Sequence, residues 1–121
     1  MTKKILIVDD EPNIVLSLEF MFKKEGFEIA VAGDGDAALE QVAAFAPDLM
    51  LLDVMMPKKS GYEVCQILRA DPALAGLKII MLTAKGRETE VAKGIALGAD
   101  LYVTKPFSTK ELVAQVKTLL A

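Results

Sequence analysis

The chain contains no histidine and a single cysteine, Cys65. Without histidine it lacks the commonest general base and cannot itself carry a phosphohistidine. One cysteine excludes an internal disulfide. On an apolar helical face, that lone thiol reads as a small buried hydrophobe. Neither sign of charge predominates strongly, since 14 basic residues face 17 acidic ones for a net charge of −3. That balance argues against nucleic-acid binding by this chain alone. Apolar residues make up 53% of the sequence, yet no run approaches the roughly 20 residues of a membrane span. The opening MTKKILIVDDE turns acidic after four apolar residues, unlike a secretory signal. A cytoplasmic location is therefore expected.

At 121 residues, one domain spanning 1–121 is expected, large enough to bury a core without staples. The pattern alternates regularly. KILIV (4–8), FEIAVA (27–32), LMLL (49–52), KIIMLT (78–83) and LYVT (101–104) are short apolar runs, read as strands. Helices follow each. The first opens at Pro12 and ends near Gly26, with Ile14, Val15, Leu18, Met21 and Phe22 inward. The second places Ala38, Val42 and Phe45 inward and stops at Pro47. The third covers about 61–70, with Val64, Ile67 and Leu68 apolar. A fourth is expected over about 88–97 and should be the loosest, because Gly94 costs about 1 kcal/mol relative to alanine. Gly98 would cap it. The fifth begins after Ser108, with Glu111 completing a capping box and Leu112, Val113, Val116 and Leu119 inward.

Five strand–helix units in tandem predict an α/β fold, (βα)5: a doubly wound parallel sheet with helices on both faces. Five strands fit the flavodoxin-like order 2-1-3-4-5, in which ligands sit at the carboxyl ends of the strands. Those ends carry Asp9, Asp10 and Glu11; Asp53; Thr83; and Thr104, Lys105 and Pro106. Each residue has an ordinary explanation. Asp9 or Asp10 would serve as a helix N-cap before Pro12, Thr83 as a turn hydroxyl, Lys105 as a solvated cation and Asp53 as a loop cap. Their convergence on one edge is what ordinary explanations leave unaccounted for.

Burying an isolated carboxylate such as Asp53 is expensive. Two carboxylates about 4 Å apart repel by roughly 4 kcal/mol at an effective dielectric near 20. Lys105 compensates in part, and a divalent cation would compensate further. The donors are all oxygens, which implies a hard ion, Mg²⁺. Mg²⁺ favours one or two carboxylates, waters and a phosphate oxygen, so the pattern points to phosphoryl chemistry. Asp53 then reads as a nucleophile forming an aspartyl phosphate. Lys105 would neutralise the transferring group, and Thr83 would donate to it. Met55 and Met56 are expected to shield the site. Phosphohydrolases with an aspartate nucleophile typically carry a second aspartate two residues later. Met55 stands there and moves no proton, so hydrolysis lacks general acid–base help of about 10²–10⁴-fold. A persistent phosphoaspartate suits a switch better than a turnover enzyme.

The motifs ILIVDDE, DLMLLDVMMPKKSGYEV, IIMLTA and GADLYVTKPFSTKEL, in this order and at these spacings, resemble the receiver domain of bacterial two-component response regulators of the chemotaxis-Y type. The resemblance covers essentially the whole chain. It implies Asp53 as phosphoacceptor and Asp9 and Asp10 as the acidic pair, Asp10 being the more direct Mg²⁺ ligand. It implies the Met55 backbone carbonyl as the remaining protein ligand, and Thr83 and Lys105 as phosphoryl contacts. It also implies a cis Lys105–Pro106 bond, which X-Pro tolerates, and Tyr102 as an aromatic switch coupled to Thr83. From the residues alone, Tyr102 reads equally well as a half-buried strand aromatic. The implied donor is a phosphohistidine on a sensor histidine kinase or phosphotransfer protein. The implied output is a phosphorelay signal delivered through the fourth helix, fifth strand and fifth helix to an effector domain or protein. Enzymatic activity would be confined to assisting the chain's own phosphorylation and slow dephosphorylation.

Two rivals deserve weight. GDGDAA (33–38) matches G-x-G-x-x-A after a strand, with Asp53 about 20 residues beyond, as in a dinucleotide site. Asp34 and Asp36 would there oppose a pyrophosphate with like charge. They are better read as helix-start acids, and the chain lacks a second nucleotide-binding half. A receiver-like adaptor that takes no phosphate is the other rival, and the complete acid set argues against it. Winged-helix regulators that dimerise through the same surface usually have an acid at Leu101 and arginine at Gln115. Restoring both charges (Leu101→Asp with Gln115→Arg) should promote phosphate-dependent dimerisation, and a sedimentation coefficient unchanged by the swap would count against that reasoning.

Overall fold

A computed structural model describes residues 2–56, 58–84 and 98–121. The expected fourth helix at 88–97, including Gly94, lies outside the described residues. Five strands, β1 (Lys4–Val8), β2 (Glu28–Ala32), β3 (Leu49–Asp53), β4 (Lys78–Ala84) and β5 (Leu101–Lys105), form one parallel sheet in the order β2-β1-β3-β4-β5. Helices α1 (Pro12–Lys24), α2 (Gly35–Phe45), α3 (Gly61–Arg69) and α4 (Thr109–Leu120) connect or follow them. This is the flavodoxin-like doubly wound α/β fold. A short 3-10 turn, Pro72–Leu74, lies between α3 and β4, with Asp71 accepting from the Ala73 N–H at 3.0 Å.

Strand periodicity divides the core in two. Leu6, Val8, Met50, Leu52, Ile79 and Met81 pack on one face with α2 and α3. Ile5, Ile7, Leu49, Leu51, Ile80 and Leu82 pack on the other with Leu18 and Phe22 of α1 and Leu112 and Val116 of α4. β3 is buried throughout, as its unbroken apolar run requires. Burying Leu18 and Phe22 fully is worth roughly 1.5–3 kcal/mol each. In α3 the inward positions are Gly61, Tyr62, Val64, Cys65 and Leu68, whereas the apolar Ile67 is 45% exposed. The row 61, 64, 65, 68 follows the i, i+3, i+4, i+7 rule, and position 67 falls beside it.

The amino edge of the sheet is closed by hydrogen bonds. Asp48 accepts from the Lys4 N–H at 2.8 Å, and its own N–H donates to the Lys4 carbonyl at 2.8 Å. Asp100 accepts from the Ile79 N–H and from Arg69 Nη2, both at 2.8 Å. Arg69 also donates to the Gly98 and Leu74 carbonyls. Gly98 has φ +104°, in the left-handed region that favours glycine. Ser60 and Glu63 form a reciprocal capping box on α3, while Ser108 accepts from the Glu111 N–H at 3.3 Å to start α4.

Two glycines permit close backbone contacts beside β3. A Cβ at Gly61 would lie 2.4 Å from the Asp53 carbonyl oxygen, and one at Gly35 would lie 2.4 Å from Lys59 Cβ and 2.7 Å from its carbonyl. Gly76 has nothing within 4 Å of the same position. Gly61→Ala should therefore cost about 1–3 kcal/mol, while Gly76→Ala should stay within about 0.5 kcal/mol of wild type. Urea midpoints of the two variants measure the contrast.

Candidate phosphoryl and metal site

Register brings four strand ends level. Val8 pairs with Leu52, Leu52 with Met81, Asp53 with Leu82 and Thr83 with Thr104. Asp9 leaves β1, Asp53 closes β3, Thr83 is the penultimate residue of β4, and Lys105 closes β5. Among the described residues Asp9, Asp53 and Thr83 are the buried polar side chains, 2%, 5% and 2% exposed, whereas Asp10 is exposed. Carboxylate oxygens of Asp9, Asp10 and Asp53 lie within 4.8 Å of one another.

Lys105 is the counter-charge. Its Nζ donates to Asp9 Oδ2 at 2.9 Å and Glu11 Oε1 at 3.1 Å, and lies 3.5 Å from Asp53 Oδ1. Burial opposes the Lys105 charge, but the carboxylates of Asp9, Asp53 and Glu11 outweigh it and raise the pKa above the usual lysine value. For Asp53 the balance is reversed. Burial, then the charges of Asp9 and Asp10, push its pKa up to about 6, against the opposing Lys105 charge and the Met55 N–H. Among the described residues one cation thus faces three carboxylates.

Two further features complete the edge. Thr83 Oγ1 is buried and has no hydrogen-bond partner among the described residues, a condition that costs about 1–3 kcal/mol. The donor set of three carboxylates, all oxygen, together with this unsatisfied hydroxyl, fits a hard cation and an oxyanion. The pocket can hold a metal ion.

Several expectations need adjustment. Neither Asp9 nor Asp10 caps α1: its N-cap is Glu11, which makes no side-chain cap, and Asp9 Oδ1 instead accepts from the Glu11 N–H at 2.9 Å. Met55 is 59% exposed, so its side chain shields little. The 33–38 segment is occupied by packing. Asp34 caps α2 through the Ala37 N–H at 2.8 Å, Asp36 pairs with Lys59 at 2.6 Å, and Lys59 fills the space beside Gly35. The Lys105–Pro106 peptide is cis. Leu101 and Gln115 line one shallow groove of about 270 Å³ between β5 and α4.

Glu11, placed at the strand end by the sequence but given no role there, binds Lys105, and one further neighbour, Tyr62, is not singled out by the sequence. Tyr62 places its hydroxyl 2.8 Å from that of Tyr102; the signal was a tyrosine on a buried helix face, whose hydroxyl needs a partner.

Residues 5–117 match the family model for the response regulator receiver domain. The DNA-binding response regulator MtrA of Mycolicibacterium smegmatis is 48% identical over 99% of this chain and 51% of its own length. The alkaline phosphatase synthesis transcriptional regulatory protein PhoP of Bacillus subtilis is 47% identical over 99% of this chain and 49% of its own. The chain thus spans about half the length of these two relatives. Among solved structures, the chemotaxis response regulator CheY4 of Vibrio cholerae superposes with a TM-score of 0.91 at 28% identity, covering 98% of this chain and 99% of that one. Among the described residues, no helix is long and apolar enough to cross a membrane.

The raised Asp53 pKa has a signed consequence. An acid that binds its proton more tightly when folded stabilises the fold below its unfolded pKa, and that stability is lost as pH rises from about 4 to about 6. Asp53→Asn should therefore stabilise the metal-free protein by about 1–3 kcal/mol at pH 7 and by almost nothing at pH 4. Urea denaturation in chelator at the two pH values tests this, and adding Mg²⁺ should narrow the gap at pH 7.

Proposed function

The chain belongs to the response regulator receiver domain family, and on that premise we propose that Asp53 is its phosphoacceptor. In this reading residues 1–121 act as one cytoplasmic receiver domain. The donor is a phosphohistidine on a sensor histidine kinase or a phosphotransfer protein. The observation that carries the reading is the gathering of Asp9, Asp10 and Asp53 within 4.8 Å at the strand ends, with Lys105 reaching Asp53 at 3.5 Å.

The chemistry follows from the residues. An Asp53 carboxylate oxygen attacks phosphorus, the donor's P–N bond breaks, and the nitrogen keeps the electron pair. With a pKa of about 6, Asp53 is mostly ionised at neutral pH and so able to attack. Lys105 holds positive charge against the transferring group. Thr83 supplies a hydroxyl that no other described residue engages. Asp9, Asp10, Asp53 and the Met55 backbone carbonyl would hold Mg²⁺. Bound there, Mg²⁺ would neutralise charge on the phosphoryl oxygens. With Met55 two residues after Asp53, no side chain there delivers or removes a proton, so the acyl phosphate persists. The chain assists its own phosphorylation and slow dephosphorylation and turns over no other substrate.

A phosphoryl group brings roughly −1.5 to −2 charges and three acceptor oxygens. Thr83 drawn toward it would free Tyr102 to change position, altering the face formed by the 88–97 segment, β5 and α4. An effector domain or protein reads that face.

Incubation with Mg²⁺ and acetyl phosphate should add the mass of one phosphoryl group. Asp53→Asn should gain none, and chelation of Mg²⁺ should abolish uptake by wild type. Thr83→Ala should slow uptake by about tenfold or more. Intact-protein mass spectrometry reads all four, and a wild type that gains no mass would favour the adaptor reading.

A further inference from the structure

The chain has two tyrosines and no tryptophan, and the two tyrosines meet. Tyr62 and Tyr102 are 40 positions apart, with their hydroxyl oxygens 2.8 Å from each other. Tyr62 is buried at the second position of α3. Tyr102 is half-buried in the middle of β5 and packs on the same core cluster as Tyr62 and Met81. It is paired across the sheet with Met81, two residues before Thr83 and on the same strand face.

The start of α3 is fastened to the backbone of Asp53. The Gly61 N–H donates to the Val54 carbonyl at 2.9 Å, and there is no room for a side chain between Gly61 and the Asp53 carbonyl. Tyr62 is the next residue. A continuous line of contacts therefore runs from Asp53 through Gly61 and Tyr62 to the Tyr102 hydroxyl, and it avoids Thr83. Rotation of the Tyr102 ring would break its hydrogen bond to Tyr62, so a change of state at Tyr102 is felt at Tyr62.

We infer that Tyr62 is a positioning residue: its hydroxyl sets the orientation of Tyr102 and couples β5 to the Asp53 backbone by a path separate from Thr83. The inference rests on Asp53 being the phosphoacceptor.

The test uses the full chain labelled with fluorotyrosine, which carries only two labels, titrated with beryllofluoride in Mg²⁺ and followed by ¹⁹F NMR. Both tyrosine resonances should shift at saturation. Tyr62→Phe should change the apparent beryllofluoride affinity about two- to tenfold, the range expected of one hydrogen bond. A rise means the bond is weaker in the activated state, and a fall means it is stronger there. In a Tyr102→Phe background, Tyr62→Phe should have no further effect. No change in affinity, or an effect that persists undiminished in that background, overturns the inference. If Tyr62→Phe does not fold, the wild-type spectrum decides: a Tyr62 resonance that stays fixed while the protein saturates overturns it, and concerted shifts support it. Failure of the underlying site reading looks different. Wild type would then bind no beryllofluoride, or Asp53→Asn would bind it equally well, and the tyrosine coupling would fall with it.

Discussion

The Lys105 ammonium ties three carboxylates together at the carboxyl edge of the sheet. Its Nζ touches Asp9 and Glu11 and stands 3.5 Å from Asp53, so among the described residues one cation faces these three anions. Its side chain is only 16% exposed, which limits screening by water and keeps each contact strong. Among the described residues the acids outnumber the cation that touches them. Burial foremost, and then the neighbouring acids, raise the pKa of Asp53, while the carboxylates of Asp9, Asp53 and Glu11 raise that of Lys105 against the effect of burial.

The two edges of the sheet use acids differently. Asp48 and Asp100, on the amino edge, accept backbone N–H bonds at 2.8 Å and brace the starts of β1 and β4. Their lone pairs are engaged in holding the fold. On the carboxyl edge, Asp53 and Asp10 have few such partners, and Thr83 has none among the described residues. Polar groups left unsatisfied in a structure that satisfies the rest are candidates for binding something. The contrast separates structural acids from chemical ones more sharply than residue type does.

Much of this was legible in the sequence because the relevant signals are local and periodic. Five apolar runs separated by helical patterns fix a doubly wound sheet, and the rule that ligands sit at strand ends picks out Asp9, Asp10, Asp53, Thr83 and Lys105. What escaped depended on distance or on packing. Ile67 is apolar like Val64 and Leu68, but the helix turns it away because Cys65 and Leu68 already occupy the contact row. The Tyr62–Tyr102 bond spans 40 positions, and no periodicity links α3 to β5. The Asp9-to-Glu11 turn replaces an expected cap, since a side chain committed to Lys105 on one oxygen can still accept a local N–H on the other. The Pro72–Leu74 turn was missed although Asp71 before a proline is an adequate signal for it.

The close contacts at Gly35 and Gly61 bear on how the site meets an ion. Lys59 lies against one glycine and the Asp53 carbonyl against the other, so the chain on either side of position 57 is braced at both ends. The backbone beside Asp53 thus loses freedom when the protein folds. A cation held by Asp9, Asp10 and Asp53 would then need little further ordering of the chain, and selectivity among divalent ions would come from cage size.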